Sequence, residues 1–303
     1  MTTQVTHPPR FDAIDLSQLP APQVVETLSY EQILADIIAD FKQRWPDYDV
    51  EMLESDPAVK ILEVAAFREL ILRARVNDAA RSIMLAFAKA SDLDHLGAFF
   101  KTSRKLLQPA DPITDQPAIY ESDSEFRVRV QLAPEALSTA GPIGAYVYHA
   151  LSAHPDVKDV GVYSPEPGSV HVLPLVRTED GIPSEEVLDA VRDRLNLETV
   201  KPLTDALTVR APERIDFTVE ATLIIPHGPD AVTIKQAAET ALNSYLVSRH
   251  RVGRTVYRSG ITAALSVASV ETVLLSSPAQ DIVIGPDQVA WATNIAISTQ
   301  VAS

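Results

Sequence analysis

Apolar positions along the chain change character between its first and second helical stretches. From Ser29, residues Tyr30, Ile33, Leu34, Ile37, Ile38, Phe41 and Trp45 recur at i, i+3, i+4 and i+7 with Glu31, Asp36, Asp40 and Lys42 between them, which predicts an amphipathic helix with one dry stripe. Ser29 is placed to cap its start, and Pro46 follows its end. The stretch ESDPAVKILEVAAFRELILRARVNDAARSIMLAFAKA, Glu54 to Ala90, differs. Asp56 suits an N-cap and Pro57 the first helical position, and no further Pro or Gly occurs before Gly97. One helix from Pro57 to about Ala88, about 48 Å long, is expected. At 100° per residue its large apolar side chains, from Ile61 and Leu62 through Phe67, Leu70 and Val76 to Ile83 and Phe87, point in nearly every direction. Such a helix is normally buried. The preceding helix and Asp92–Phe100 cover part of it. Leaving the remainder wet would forfeit several kcal/mol at about 25 cal/mol per Å². Either the C-terminal part of the chain folds back over it, or helices of other chains complete a bundle.

The rest of the pattern predicts an α+β protein: an N-terminal long-helix bundle region followed by mixed α/β domains. Residues 1–28, with Pro8, Pro9, Pro20 and Pro22, read as an extended arm, and 29–100 as the bundle-forming region. Residues 101–140 carry Pro109, Pro112, Pro117 and Pro134 and read as a connector and hinge; within them SDSEFRVRVQLAPEAL fits a short helix or a strand. Residues 141–212 form a first α+β domain: a helix at PIGAYVYHALSAH, strands at VKDVGVYS and GSVHVLPLV, a helix entered through Ser184, and a strand at ALTVRAP. Residues 213–303 form a second, expected to pair between copies. It has a strand at RIDFTVEATLII, a helix at VTIKQAAETALNSYLVSR, a shorter helix at SGITAALSVA and a strand at VETVLLSS; two more strand-like runs follow in QDIVIGPDQVAWATNIAIST. The two domains suggest a repeat.

Composition narrows the partners. The 303 residues carry 41 acidic against 26 basic side chains, a formal charge of −15, which repels polyphosphate and anionic lipid and argues against nucleic acid and membrane. With no cysteine, disulfides, thiolate catalysis and thiolate metal sites are excluded. The N-terminus lacks the order of a signal peptide, and no apolar run approaches the roughly 20 residues of a membrane span, so a soluble protein made without export is expected.

Candidate chemistry is sparse. None of the seven histidines pairs with another at i, i+4, and phosphate loops, nucleophile elbows and dinucleotide fingerprints are all missing. No cofactor, metal, catalytic residue or small-molecule substrate is expected. Glu179–Asp180 and Glu185–Glu186 read as a polar turn entering a helix N-terminus, where acids are favoured. Against the acidic background, SRHRVGRTVYR gathers Arg249, Arg251, Arg254 and Arg258. It is compatible with phosphate binding, with an acidic protein surface, or with a solvated helix end; the acidic protein surface is retained as a candidate partner interface.

Four stretches, RFDAIDLSQLPAP (10–22), ESDPAVKILEVAAFRELILRARVNDAARSIMLAFAKASDLDHLG (54–97), GPIGAYVYHALSAHPDVKDVGVYSPEPGSVHVLPL (141–175) and VKPLTDALTVRAP (200–212), together resemble baseplate assembly protein J of contractile-tailed phages and of related particles such as R-type bacteriocins. The resemblance runs in the same order over nearly the whole chain. It implies a structural wedge protein without enzymatic activity, assembled in the host cytoplasm and resident in the tail baseplate. It further implies that two copies join a companion wedge protein of the protein I type through a bundle of N-terminal helices, and that the C-terminal domains pair between copies. The wedges would close a ring around the central hub, a sheath-initiating protein would dock on the bundle, and the ring would widen when sheath contraction begins. Carried residue by residue, it places Leu62, Phe67, Leu70, Val76, Asn77, Ile83 and Phe87 in the bundle interface and Arg10, Phe11 and Leu19 in the arm. The competing readings are a tail-associated hydrolase, which needs a convergent site the motifs do not reveal, and a small-molecule binding module in the α+β domain.

Overall fold

In the computed structural model the described residues are 14, 16, 19, 20, 22, 24–46, 56–138, 141–178, 180–202, 204–228 and 230–302. Ser29 caps α1 (Tyr30–Arg44), its Oγ accepting from the Gln32 N–H at 3.3 Å. Asp56 caps α2 (Pro57–Ser82), its Oδ1 accepting from the Ala58 N–H at 2.8 Å, with Pro57 where no N–H is needed. The helix stops six residues short of the expected Ala88. No Gly or Pro marks the stop. Ser82 Oγ donates back to the Ala79 carbonyl at 2.9 Å, and i→i+3 bonds such as Met84 N–H to Arg81 O then tighten the chain into turns. Ala88 and Leu93 are buried as the chain enters α3 (Ala90–Phe99). These helices make one compact unit, residues 14–103, in which α1 packs along α2.

The second unit begins at Arg104. Its first elements, β1 (Leu106–Gln108), β2 (Ile119–Tyr120) and α4 (Asp123–Leu132), correct the expectation that 101–140 is a connector. Ser122 Oγ accepts from the Glu125 N–H and donates to the Glu125 carboxylate, an N-cap that starts α4. Phe126, Val130 and Leu132 are buried, and a short 3₁₀ turn, Ala133–Leu137, continues the packed segment. Only residues 101–103 of the expected hinge precede this unit.

Next come α5 (Ile143–Leu151), β3 (Val157–Tyr163), β4 (Ser169–Val176), α6 (Glu185–Leu195) and β5 (Ala206–Val209). β4 is the central strand, antiparallel to β3 and parallel to β5. α5 and α6 close one side, with Ala150, Val172, Val191 and Leu195 in a common core. The opposite face of β4 is also covered, Leu173 and Leu175 packing with Val252 and Val289, so the near-continuous apolar run of β4 is that of a strand buried on both sides. Pro174 lies beyond the stretch paired with β5, where a missing N–H is tolerated.

A second sheet places β6 (Glu213–Ile225) between antiparallel β7 (Thr272–Ser277) and parallel β8 (Gln288–Val301). Alternate residues Phe217, Val219, Ala221, Leu223 and Ile225 are buried. They meet Ile234, Ala238 and Leu242, one face of α7 (Ala231–Arg249), and Ile261 and Leu265 of α8 (Arg258–Leu265). Of the last two strand-like runs expected, only the second is a strand; Ile282 makes an isolated bridge to Val256. The two sheets share a three-strand layout but reach it in different chain order, so they are not a simple repeat. Within this unit, residues 141–212 and 213–303 pack against each other. A Cβ on Gly161 would stand 2.4 Å from Val252 Cγ1, Val252 N–H donates to Asp159 Oδ2 at 3.2 Å, and Arg210 reaches Asp287 at 2.8 Å. No helix among the described residues is long and apolar enough to cross a membrane.

Candidate functional site

At about 100° per residue, the buried Val59, Ala66 and Asn77 of α2 fall within a band about 20° wide. Centred opposite, over about 180°, lie Phe67, Ile71, Val64, Ile61, Leu72 and Val76. Their exposure is that of surface residues: 69% for Ile61, 66% for Leu72 and 54% for Phe67. Small residues sit where helices approach closely and large ones face water, an apolar patch of the kind that marks an interaction surface. Arg68 and Arg75 are also exposed on this face.

The expected interface residues divide. Phe67 and Val76 are on the exposed face, whereas Leu62 and Leu70 are half-buried. Asn77, only 6% exposed, works inside its own unit: its Nδ2 donates to the Glu26 carbonyl at 2.9 Å and its Oδ1 accepts from the Glu26 N–H at 3.0 Å. Buried and bonded twice to backbone, this amide is engaged within its own unit. Ile83 and Phe87 lie past the end of α2, the first exposed and the second half-buried. Of the arm, Leu19 is exposed, and Arg10 and Phe11 lie outside the described residues. The sequence reading left Ile61, Val64, Ile71 and Leu72 out of the interface, although the 100° projection places them beside Phe67.

The arginine cluster is not a single solvated patch. Arg258 starts α8 and is held within the domain: its N–H donates to Asp281 Oδ1 at 2.8 Å and its guanidinium to the carbonyls of Pro278 and Leu275. Arg249 lies over the rings of Tyr245 and Tyr257, 5.4 and 5.8 Å from their centroids. Arg254 is half-buried, and Arg251 is exposed. Beside Arg249, a cleft of about 200 Å³ is lined by Phe217, Leu246, Trp291 and Ile295. The ring of His250 stands 5.0 Å from Trp291, and its Nδ1 is 3.2 Å from Lys158 Nζ. Burial, reinforced by the Lys158 ammonium, lowers its pKa to about 4, so the imidazole is neutral at pH 7.

One buried polar network had no sequence signal, because its members meet only in the fold. Glu121 and Arg129, both buried, form an ion pair at 3.1 Å, and Arg104 donates to the Glu121 carbonyl at 2.7 Å. Lys105 Nζ donates to the carbonyls of Leu151 at 3.0 Å and Val157 at 2.9 Å. Burial lowers the Lys105 pKa to about 8, against the opposing field of Glu121. The network ties the first residues of the second unit to α4, α5 and β3. Tyr146 similarly donates to Asp205 Oδ2 at 2.7 Å, anchoring the turn that precedes β5. Among the described residues, no cluster of three or more His, Cys, Asp or Glu could hold a metal.

Three family descriptions match in order: the Baseplate J-like N-terminal domain over 54–111, the Baseplate J-like central domain over 138–211 and the Baseplate J-like protein C-terminal domain over 217–298. Baseplate protein J of Escherichia phage P2 is 44% identical over 294 residues, covering 94% of this chain and 97% of that protein. A chain of the anti-feeding prophage (AFP) baseplate, solved by cryo-EM, superposes on 60% of this chain and 42% of its own length with a TM-score of 0.41 and 19% identity, too loose a likeness to locate a surface.

Proposed function

This chain belongs to the baseplate J-like protein family, and from that premise we propose that it is a wedge subunit whose α2 face is one wall of a helical bundle shared with a second copy of the chain and a companion baseplate protein of the protein I type. The coarser role is that of a structural protein of the virion tail baseplate, assembled with other baseplate proteins. In the finer reading, wedges close a ring around the central hub, the bundle receives the sheath-initiating protein, and the C-terminal sheet region pairs between copies. Movement on host contact passes to the sheath as the helical and α+β units turn as bodies about the short connection ahead of Arg104, a hinge mode. Catalysis has no part in it.

The observation that supports this reading is the wet face of α2, with six large apolar side chains from Ile61 to Val76. At about 25 cal/mol per Å², covering them contributes several kcal/mol to association, enough to offset much of the entropy of docking. Phe67→Asp is therefore expected to abolish co-purification with the companion protein while circular dichroism and melting of the free chain stay unchanged. Leu72→Asp should do the same. Leu70→Asp is less diagnostic, because Leu70 is half-buried and the change would also disturb its own unit. Wild-type complex formation by both Phe67→Asp and Leu72→Asp would overturn the bundle assignment.

A further inference from the structure

One copy of the chain leaves two unlike features open, the loop between β1 and β2 and the cleft beside α7. Asp111 and Gln116 bridge the base of the loop, the Asp111 N–H donating to the Gln116 carbonyl at 3.0 Å, and residues 112–115 turn at its tip. Asp111 stiffens that tip: its Oδ1 accepts from the Ile113 N–H at 2.8 Å and its Oδ2 from Thr114 Oγ1 at 2.7 Å. Side-chain bonds of this kind fix the turn and the direction of the residues it carries. Ile113 is held there 93% exposed. Asp115, at a positive φ that aspartate tolerates, is exposed two residues on and has no cation partner among the described residues. An isoleucine this wet on a hydrogen-bonded turn contributes no burial to its own fold.

The cleft, about 200 Å³, is walled by Phe217, Leu246, Trp291 and Ile295, with Val247, 73% exposed, at its rim. A cavity of about 150 Å³ accepts a benzene ring, so this one has room for the four-carbon side chain of an isoleucine. None of its lining residues is acidic. Its cation is Arg249, steadied over the rings of Tyr245 and Tyr257. Among the described residues that guanidinium has no carboxylate partner, and its buried Nε has no hydrogen-bond partner. Resting on the reading that several copies share one baseplate, we propose that the loop tip of one copy seats Ile113 in the cleft of another, with Asp115 pairing with Arg249. The tip is an apolar plug followed by an unpaired carboxylate, and the cleft is an apolar socket beside an unpaired guanidinium, so size, polarity and charge match on a single chain. The two surfaces are unlike. Their contact therefore runs head to tail and can continue from copy to copy around a ring, whereas the pairing of like sheets joins only two.

The test uses the full chain in a Phe67→Asp background, which removes the α2 contact, and reads self-association by sedimentation. Ile113→Ser disables the tip and Val247→Asp the cleft; both positions are exposed and leave the fold intact, as circular dichroism checks. Each variant alone is expected to associate about ten-fold more weakly than the parent. An equal mixture of the two is expected to regain association, because intact tips of one meet intact clefts of the other, a restoration that a contact between like surfaces does not show. Asp115→Asn should weaken association about three-fold, an effect that fades as salt rises. Association unaltered by either variant, a loss that mixing does not restore, or a parent chain that stays monomeric at high micromolar concentration would each overturn the proposal. So would a Trp291 fluorescence signal, in a Trp45→Phe background, that responds to the companion wedge protein and not to a second copy. Failure of the bundle reading is reported separately, by Phe67→Asp against the companion protein.

Discussion

In the α+β unit, Leu195, Leu223 and Leu242 are sealed beneath helices and sheets, whereas on α2 residues of the same kind, Ile61, Leu72 and Val76, stand in water. The α+β unit closes two sheets under its own helices and buries the ion pair Glu121–Arg129, so its stability is internal. The helical unit has one thin dry seam, filled by Ala66, Val59 and Asn77, and leaves its larger apolar area unspent. Apolar residues therefore serve folding in one region, whereas in the other they face water and serve association only in the proposed bundle, and substitutions should separate the two uses.

The largest expected effect is in the closed unit. Arg129→Met leaves the buried Glu121 carboxylate without its partner and should cost about 3–5 kcal/mol, lowering the melting temperature of the α+β transition by about 10 °C while amide exchange in α2 is unchanged. Leu242→Ala opens a cavity between α7 and β6 and should cost about 2–4 kcal/mol, read by denaturant titration of Trp291 fluorescence in a Trp45→Phe background. A smaller effect is acid sensitivity. The folded-state pKa of His250, about 4, lies below its unfolded value near 6.5, so the unfolded chain binds the extra proton first. The stability contributed by neutral His250 is fully present above pH 6.5 and is lost as pH falls toward 4. Melting between those values should drop by about 2–5 °C more in the wild type than in His250→Gln. The smallest effect belongs to the wet face: Ile61→Ser with Leu72→Ser should change the stability of the free chain by less than about 0.5 kcal/mol and raise its solubility. A loss of several kcal/mol there would mean that the face is already covered in the free chain.

Much of this contrast was legible in the sequence where the determinants are local. Ser29, Asp56 and Pro57 announce their helices, the alternation in RIDFTVEATLII announces β6, and Ser122 with Glu125 carried an unread N-cap signature that would have settled α4 as a helix. The over-apolar character of α2 was visible, but not which stripe is covered. Hydrophobicity alone does not mark the stripe that packs within the unit, because close approach there is filled by small residues such as Ala66, and the polar Asn77 is buried because a backbone fifty-one residues away pairs with its amide. The Glu121–Arg129 pair and the Lys105 clamp were illegible for a related reason: buried charge is acceptable only with partners that tertiary structure brings. Prolines do not by themselves mark a structureless connector in 101–140: Pro112 sits in a turn, and Pro134 in the 3₁₀ turn that continues the packed α4 segment.

The two hydrogen bonds between Asn77 and the Glu26 backbone close a chain loop without any covalent staple. Residue 26 is thereby fastened beside the last turns of α2 instead of trailing from the near end of α1. A force on the last turns of α2 is therefore carried directly into the residues that lead into α1, without passing along the helix axis of α1 first.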